Sequence, residues 1–353
     1  MQRSPTVVFR ADADPRIGGG HVMRCLTLAV AFGRAGWRCA VAAGAKSATT
    51  VPALAQSGLE VLEAGGGATA DARQILAYFG AKVDLLVIDH PDWTAVEEEA
   101  IAPAGAASMA IDGLGRRHVT DLWLDPNPGR RLADLRSKAA PHCEILLGPQ
   151  FMPIAAPVAA IRARSLSARR NRDFRVAHIL INFGAGDQIV AFDVALRGIA
   201  ASGRRYQTTV VAGTSASKCR ELAAQLDLDC QILVWTDRMD ELMLSADLMI
   251  AAAGISAWER CCAGLPCLIL TVADNQLDTA RYLNEQGAAL YVGPTDHVQP
   301  GQIASALVRL TDAPDQLAQM SNRAAAEIDG GGAARVVAAV ESFIERTRPG
   351  LGL

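Results

Sequence analysis

The side chains best placed for chemistry lie in one stretch, Arg10-Ala11-Asp12-Ala13-Asp14-Pro15-Arg16-Ile17-Gly18-Gly19-Gly20-His21-Val22-Met23-Arg24-Cys25-Leu26. Consecutive glycines let a backbone approach a ligand closely and take up positive φ, and a histidine directly after them faces whatever binds. Imidazole is the side chain that exchanges its proton near neutral pH, so His21 is the candidate general base; the bland alternative is a histidine that caps or packs. Arg24, one turn on, either holds a substrate oxygen or pairs with Asp12. Asp12 either orients His21 or braces the loop. Gly19 and Gly20 join Asp12 and Arg24 as substrate-binding candidates.

These residues need a strand before them and a helix after them. Val7-Val8-Phe9 reads as a short buried strand, and Val22, Leu26, Ala29 and Val30 recur at helical spacing. Beyond them, apolar runs alternate with helical patterns: strands at 38–43, 59–62, 85–88, 108–111, 122–124 and 145–147, with helices at 51–57, 70–80 and 94–102. That alternation predicts a parallel sheet with crossover helices, whose ligands sit outside the carboxyl ends of the strands. Asp89, His90 and Asp112 then share a rim with His21.

From Met152 to Phe174 the pattern dissolves into Pro, Ala and Arg, including Arg162, Arg164, Arg169, Arg170 and Arg172. A linker is the simplest account; the alternative, a grip on phosphate or nucleic acid, lacks interleaved aromatics. The alternation then restarts, giving a second α/β unit. The expected division is 1–150, a linker at 151–173, a second domain at 174–345 and a tail at 346–353. In the second half Gly184-Ala185-Gly186 follows a strand and precedes a helix, so its amides suit a diphosphate as well as an ordinary turn. Gly254 and Ser256 at a helix start, with Glu259 one turn later, suit phosphate and ribose, or else a Ser-x-x-Glu capping box.

Composition bounds the rest. The 353 residues exceed what one core usually supports, and half of them are hydrophobic. A net charge of −3 gives no basic field for nucleic acid. The eight cysteines are scattered without zinc-site spacing and are expected to be reduced core thiols in a soluble, cytoplasmic protein. No apolar run approaches membrane-spanning length, and the N-terminus lacks signal-peptide character. His118, His142, His178 and His297 show no partner and are expected to be surface or packing residues.

Several segments carry a resemblance: the Arg10–Leu26 stretch, Val87-Ile88-Asp89-His90, Leu146-Leu147-Gly148-Pro149, Phe183–Asp187, Ala246-Asp247-Leu248, Gly254-x-Ser256-x-x-Glu259, Ala263-Gly264-Leu265-Pro266, Ala273-Asp274-Asn275-Gln276 and Asp329–Val336. They are similar to UDP-2,4-diacetamido-2,4,6-trideoxy-β-L-altropyranose hydrolase of pseudaminic acid biosynthesis, a family related to MurG-type GT-B glycosyltransferases. The resemblance implies an α/β, GT-B-like fold of two Rossmann-type domains whose parallel sheets face each other across a cleft. It implies hydrolysis of a UDP-sugar by inverting attack of water at the anomeric carbon, with no cofactor and no required metal. His21 is then the base, favoured as neutral imidazole at a helix N-terminus. The amides at Gly184, Ala185, Gly186, Gly254 and Ser256 stabilise the leaving UDP. By the same resemblance Glu259 binds the ribose, backbone near Trp235 and Thr236 the uracil, and Asn275 and Gln276 the sugar; Asp89, ending a strand on the rim, is a further substrate-binding candidate or an ordinary strand-end polar residue. Pro91-Asp92-Trp93 departs from the family, which often carries an aromatic residue directly after Asp-His; Trp93 is the candidate to take over stacking. The alternative is a GT-B glycosyltransferase using the same UDP site. Neither reading calls for nucleic acid or membrane insertion as a partner.

Overall fold

A computed structural model describes residues 3–348 apart from 15, 80–82, 102–104 and 185. The chain divides into two compact units: one comprises the chain to Pro153 together with the C-terminal segment from Gly331, the other Ile154–Gly330.

The first unit is built on a parallel sheet of seven strands: β1 (Thr6–Ala11), β2 (Arg38–Ala43), β3 (Glu60–Glu63), β4 (Leu85–Asp89), β5 (Ala107–Ile111), β6 (Leu122–Asp125) and β7 (Glu144–Leu147). Their order across the sheet is β3-β2-β1-β4-β5-β6-β7. Both β1 and β4 are buried along their whole length, which is why they read as unbroken apolar runs rather than alternating ones. Helix Gly20–Arg34 buries Val22, Cys25, Leu28, Ala29 and Phe32, one stripe at helical spacing. Burying a side chain such as Leu28 or Phe32 is worth roughly 1.5–3 kcal/mol.

The last helix, Gly332–Thr347, lays Val336, Val337, Val340, Phe343 and Ile344 into this same core. Trp37 donates its indole N–H to Glu341 at 3.0 Å. Only glycine fits where the helix starts, because a Cβ on Gly332 would lie 2.1 Å from the Met152 carbonyl oxygen. The expected boundaries therefore change at the C-terminus: the segment from Gly331 to the end belongs to the first unit, not to the second domain and a tail.

The second unit carries six parallel strands: β8 (His178–Asn182), β9 (Gln207–Val211), β10 (Cys230–Leu233), β11 (Leu248–Ala251), β12 (Cys267–Thr271) and β13 (Leu290–Pro294), in the order β10-β9-β8-β11-β12-β13. The linker expected over 151–173 is instead mostly a helix, Ala156–Asn171, and from Ile154 onward it belongs to this unit. Its arginines contact carbonyls. Arg162 donates to the backbone oxygens of Cys262, Ala325 and Ile328; Arg169 to those of Met243 and Ala246; Arg172 to those of Leu244 and Ser245. These carbonyls lie at the ends of helices Met239–Ser245, Ser256–Cys262 and Pro314–Glu327, where intrahelical donors run out. Among the described residues no helix is long and apolar enough to cross a membrane.

Candidate functional site

In the first sheet the strand order reverses between β1 and β4, which pair directly in the register Ala11↔Asp89. The loop after β1 and the end of β4 are thereby brought to one point on the carboxyl rim, the position where open α/β sheets bind ligands. Gly18 turns with φ +75°, Gly19 caps the helix, and His21 stands in its first turn.

Asp89 organises this point. One of its oxygens lies 2.6 Å from His21 Nδ1, while Arg24 donates to both, through Nε at 2.6 Å and Nη2 at 2.7 Å. Asp89 is fully buried, which by itself would raise its carboxyl, but the charges of Arg24 and His21 beside it outweigh burial and hold it at about 2. The carboxylate is an anion that only accepts, so the proton on a neutral His21 ring sits on Nδ1 and Nε2 carries the lone pair. Several expectations change accordingly. Asp89 is not a sugar ligand: its oxygens are taken by His21 and Arg24. Arg24 pairs with Asp89 rather than with Asp12, through Nε and Nη2, and Asp89 rather than Asp12 contacts the His21 ring.

Asp12 is the brace. Arg10 donates to both of its oxygens, Gly44 N to one at 2.6 Å and His90 Nε2 to the other at 2.9 Å. Arg10 also bonds Asp71, at 2.6 Å and 3.1 Å. Although burial acts to raise it, these donors hold the Asp12 carboxyl far below the usual carboxylate range. Trp93 is buried with the Arg10 guanidinium 5.8 Å from its ring centroid, so it does not stack on a substrate. His118 is likewise no surface residue: it is buried, with Nδ1 2.7 Å from Glu98 and Nε2 3.1 Å from Asp112. Burial lowers the imidazole, but the two carboxylates outweigh it and raise it to about 8. Arg10, Asp71 and Glu98 were missed as partners. The available signal was a cation inside an apolar strand, two positions from Asp12 and so on the same face.

The second sheet reverses between β8 and β11, paired in the register Ala251↔Asn182. Gly184, at φ +92°, and Gly186 follow β8, whereas Ala185 lies outside the described residues. Gly254 and Ser256 follow β11 beside them. No capping box forms: Ile255 caps helix Ser256–Cys262 without a side-chain bond, and Ser256 Oγ instead accepts from Arg260 at 3.3 Å. Glu259 lies in the first turn, where burial pushes its carboxyl up to about 7 against the opposing charge of Arg260.

Gln276, after β12, accepts the Val272 amide at 3.1 Å through Oε1, which leaves its Nε2 about the glycine loop, 4.0 Å from where a Gly254 Cβ would stand. Asn275 beside it is exposed. Trp235 and Thr236 follow β10; the indole is 43% exposed, and Thr236 Oγ1 accepts the Arg238 amide. Along the rim the candidates thus run Trp235 and Thr236, then the β8 loop, the β11 loop with Glu259, and Asn275 with Gln276. Four strand spacings of ~4.8 Å make this row about 19 Å long. Among the described residues no group of three or more His, Cys, Asp or Glu is placed to hold a metal ion.

Residues 193–336 match the family described as Glycosyltransferase family 28 C-terminal domain. Spore coat polysaccharide biosynthesis protein SpsG of Bacillus subtilis is 32% identical over 111 residues, covering 31% of this chain and 33% of that protein. The UDP-N-acetylglucosamine--N-acetylmuramyl-(pentapeptide) pyrophosphoryl-undecaprenol N-acetylglucosamine transferase of Sorangium cellulosum is 30% identical over 254 residues, 66% of this chain and 61% of that one. The matched segments thus span a third to about three fifths of these relatives' lengths. Among solved structures, MurG of Acinetobacter baumannii superposes with a TM-score of 0.71 at 15% identity, covering 96% of this chain and 99% of that one. The fold is GT-B, and the chain is related to the MurG-like glycosyltransferases of family 28.

Proposed function

We propose that this chain is an enzyme that breaks the bond between the anomeric carbon of a sugar and UDP, delivering the sugar with inversion to an oxygen nucleophile whose proton His21 removes. The observation that carries the reading is the 2.6 Å contact between His21 Nδ1 and the buried Asp89 carboxylate. It leaves Nε2 as the free base and gives the imidazolium that forms a fixed counter-charge.

The row on the second rim suits a nucleotide sugar in order of its parts. Trp235 and Thr236 take the uracil, Glu259 the ribose diol, the amides about Gly184–Gly186 and Gly254–Ser256 the diphosphate, and Asn275 and Gln276 the sugar. Backbone donors aimed at the diphosphate stabilise the charge that grows on it as the glycosyl bond breaks.

Transfer to a hydroxyl is the reading that the relatives' names support. Hydrolysis, with water in the acceptor's place, is the second reading. In its favour, His21 and Arg24, both within the stretch that resembles the pseudaminic-acid hydrolases, are the residues that grip Asp89. The experiment is UDP release from UDP-N-acetylglucosamine and from a UDP-diacetamido-trideoxyhexose, each with and without a saccharide acceptor, and with the product anomer followed by NMR. His21→Ala is expected to abolish turnover and leave UDP affinity unchanged. Unaltered turnover in that variant, or a product of retained configuration, removes the proposal; acceptor-independent release of free sugar selects hydrolysis.

A further inference from the structure

His118 has a carboxylate on each ring nitrogen: Glu98, from helix Ala95–Ile101, lies 2.7 Å from Nδ1, and Asp112, just after β5, lies 3.1 Å from Nε2. All three residues are buried, and Trp123 of β6 covers the imidazole with ring centroids 4.5 Å apart. The segment bridged to His118 at Ala139 brings no further charge to the ring. Its Lys138 ammonium is bound to the Gly115 carbonyl, and burial keeps the Cys143 thiol protonated, at about 12. Arg117, the neighbour in sequence, is exposed.

A carboxylate only accepts, so both contacts hold only while both nitrogens carry a proton; a neutral ring has one to give. The two carboxylates differ in what else they bond. Glu98 accepts the Val119 amide with its other oxygen and, among the described residues, pairs with no second cation. Asp112 accepts the Arg116 amide at 2.9 Å and Arg116 Nε at 3.2 Å, so its charge is already answered. On loss of a proton the remaining N–H therefore stays toward Glu98, and the Nε2 lone pair is set against Asp112.

The disturbance has a direct route to the site. Arg116 reaches from Asp112 to two backbone oxygens beyond β4, that of Pro91 through Nη1 and that of His90 through Nη2 at 3.4 Å. His90 follows Asp89 in the chain, bonds Asp12 through Nε2 and accepts the Asp92 amide on Nδ1. Every one of these residues belongs to the first unit.

We infer that His118 is a proton-controlled latch: protonated, it fixes Asp112 and, through Arg116, the segment from Asp89 to Trp93; neutral, it lets that segment loosen. The imidazole is raised to about 8, so the latch is closed below pH 8 and opens as pH rises through it. Only its consequence for turnover, through the Asp89 contact with His21, rests on the proposed function.

The test is fluorine NMR of the full chain carrying 5-fluorotryptophan, followed from pH 6 to 9, with signals assigned through Trp93→Phe and Trp123→Phe. Trp123 reports the proton on His118, and Trp93, buried just past Pro91, reports the segment. Both signals are expected to shift with one midpoint near pH 8. Glu98→Gln removes one of the two carboxylates and should lower both midpoints by about one pH unit. Arg116→Met should keep the Trp123 transition and silence that of Trp93. The latch is overturned if Trp123 shows no transition, if Trp93 stays still while Trp123 titrates, or if Arg116→Met leaves the Trp93 transition in place. In the UDP-release assay kcat should fall about tenfold with the same midpoint, and that midpoint should move with Glu98→Gln. Fluorine signals that behave as expected while kcat stays level uphold the latch and remove its tie to the proposed reaction.

Discussion

Replacing Asp89 by Asn separates what this carboxylate does for the fold from what it does for the reaction. Holding the carboxyl at about 2 instead of its ordinary 3.8 corresponds to roughly 2 kcal/mol in favour of the folded, ionised state, from ~1.4 kcal/mol per pH unit. The folded value is depressed, so this stability is present above pH 3.8 and is lost as pH falls through about 2. Asn keeps the shape, but it carries no charge, and whichever way it turns its amide N–H opposes a donor, either Arg24 Nε or His21 Nδ1 with Arg24 Nη2. Arg24 is then left with an uncompensated charge, and about 2–5 kcal/mol of destabilisation at pH 7 is expected, read from urea midpoints. The imidazole then faces a neutral carbonyl or an amide N–H and in either case loses its counter-charge, for which a fall in kcat of about 10²–10⁴-fold is expected in the UDP-release assay. UDP affinity should not move, since the nucleotide candidates lie in the other unit. If Asp89→Asn turns over within threefold of the parent chain, the Asp89 contact does not prepare His21 and the assignment of the base falls.

Glu259→Gln should trade stability against binding. The folded carboxyl is raised to about 7 from 4.5, so ionising it costs stability as pH rises through 7; the amide should be more stable by up to about 2 kcal/mol at pH 8 while UDP binds about tenfold more weakly by calorimetry. His118, raised to about 8 from 6.5, contributes stability fully present below pH 6.5 and lost as pH rises through 8. Chemical denaturation from pH 6 to 9 should show a decline on the order of 2 kcal/mol that is absent in His118→Gln; a parallel decline in both chains would clear the imidazole of that role. Gly332→Ala places a Cβ against the backbone oxygen of Met152, which no side chain rotation relieves, and should cost about 3 kcal/mol in the melting of the first unit.

The strands were legible because a parallel sheet covered on both faces writes each strand as an apolar run, and Arg38–Ala43 is found where the sequence predicts it. The glycine turn with His21 was legible for the same reason, being bounded by a strand and an amphipathic helix. The partner of His21 was not. Asp89 lies 68 residues away, and only the strand order, with β4 inserted next to β1, decides that it rather than nearby Asp12 reaches the ring. The helix Ala156–Asn171 escaped because only Val158 and Ile161 of its buried positions are apolar, and its second half is fixed by Ser165 and Arg169 bonding carbonyls, which leaves little apolar stripe to read. Helix Pro314–Glu327 and strand Leu290–Pro294 were also not expected. The last helix was recognisable as a helix, yet an apolar stripe does not say which of two cores it enters.

Each unit puts its candidates at the same topological place, and this gives the row of residues its meaning. In an order such as β3-β2-β1-β4, the crossovers on either side of the reversal leave in opposite directions, so the loops after β1 and β4 part and expose a crevice. The second sheet repeats this between β8 and β11, where the two glycine loops emerge from strands paired in register. In one unit the crevice is furnished with an imidazole, a buried carboxylate and a guanidinium; in the other with glycine amides and a hydroxyl. On the proposed function the first set moves protons and the second receives anionic oxygen. Neither set alone would supply what the proposed reaction needs, because the bond breaks only as the nucleophile loses a proton and the diphosphate gains charge. An exchange of the two furnishings between units would therefore be chemically equivalent, but loss of either would not, so a chain with both is expected to lose turnover on damage to one and UDP affinity only on damage to the second.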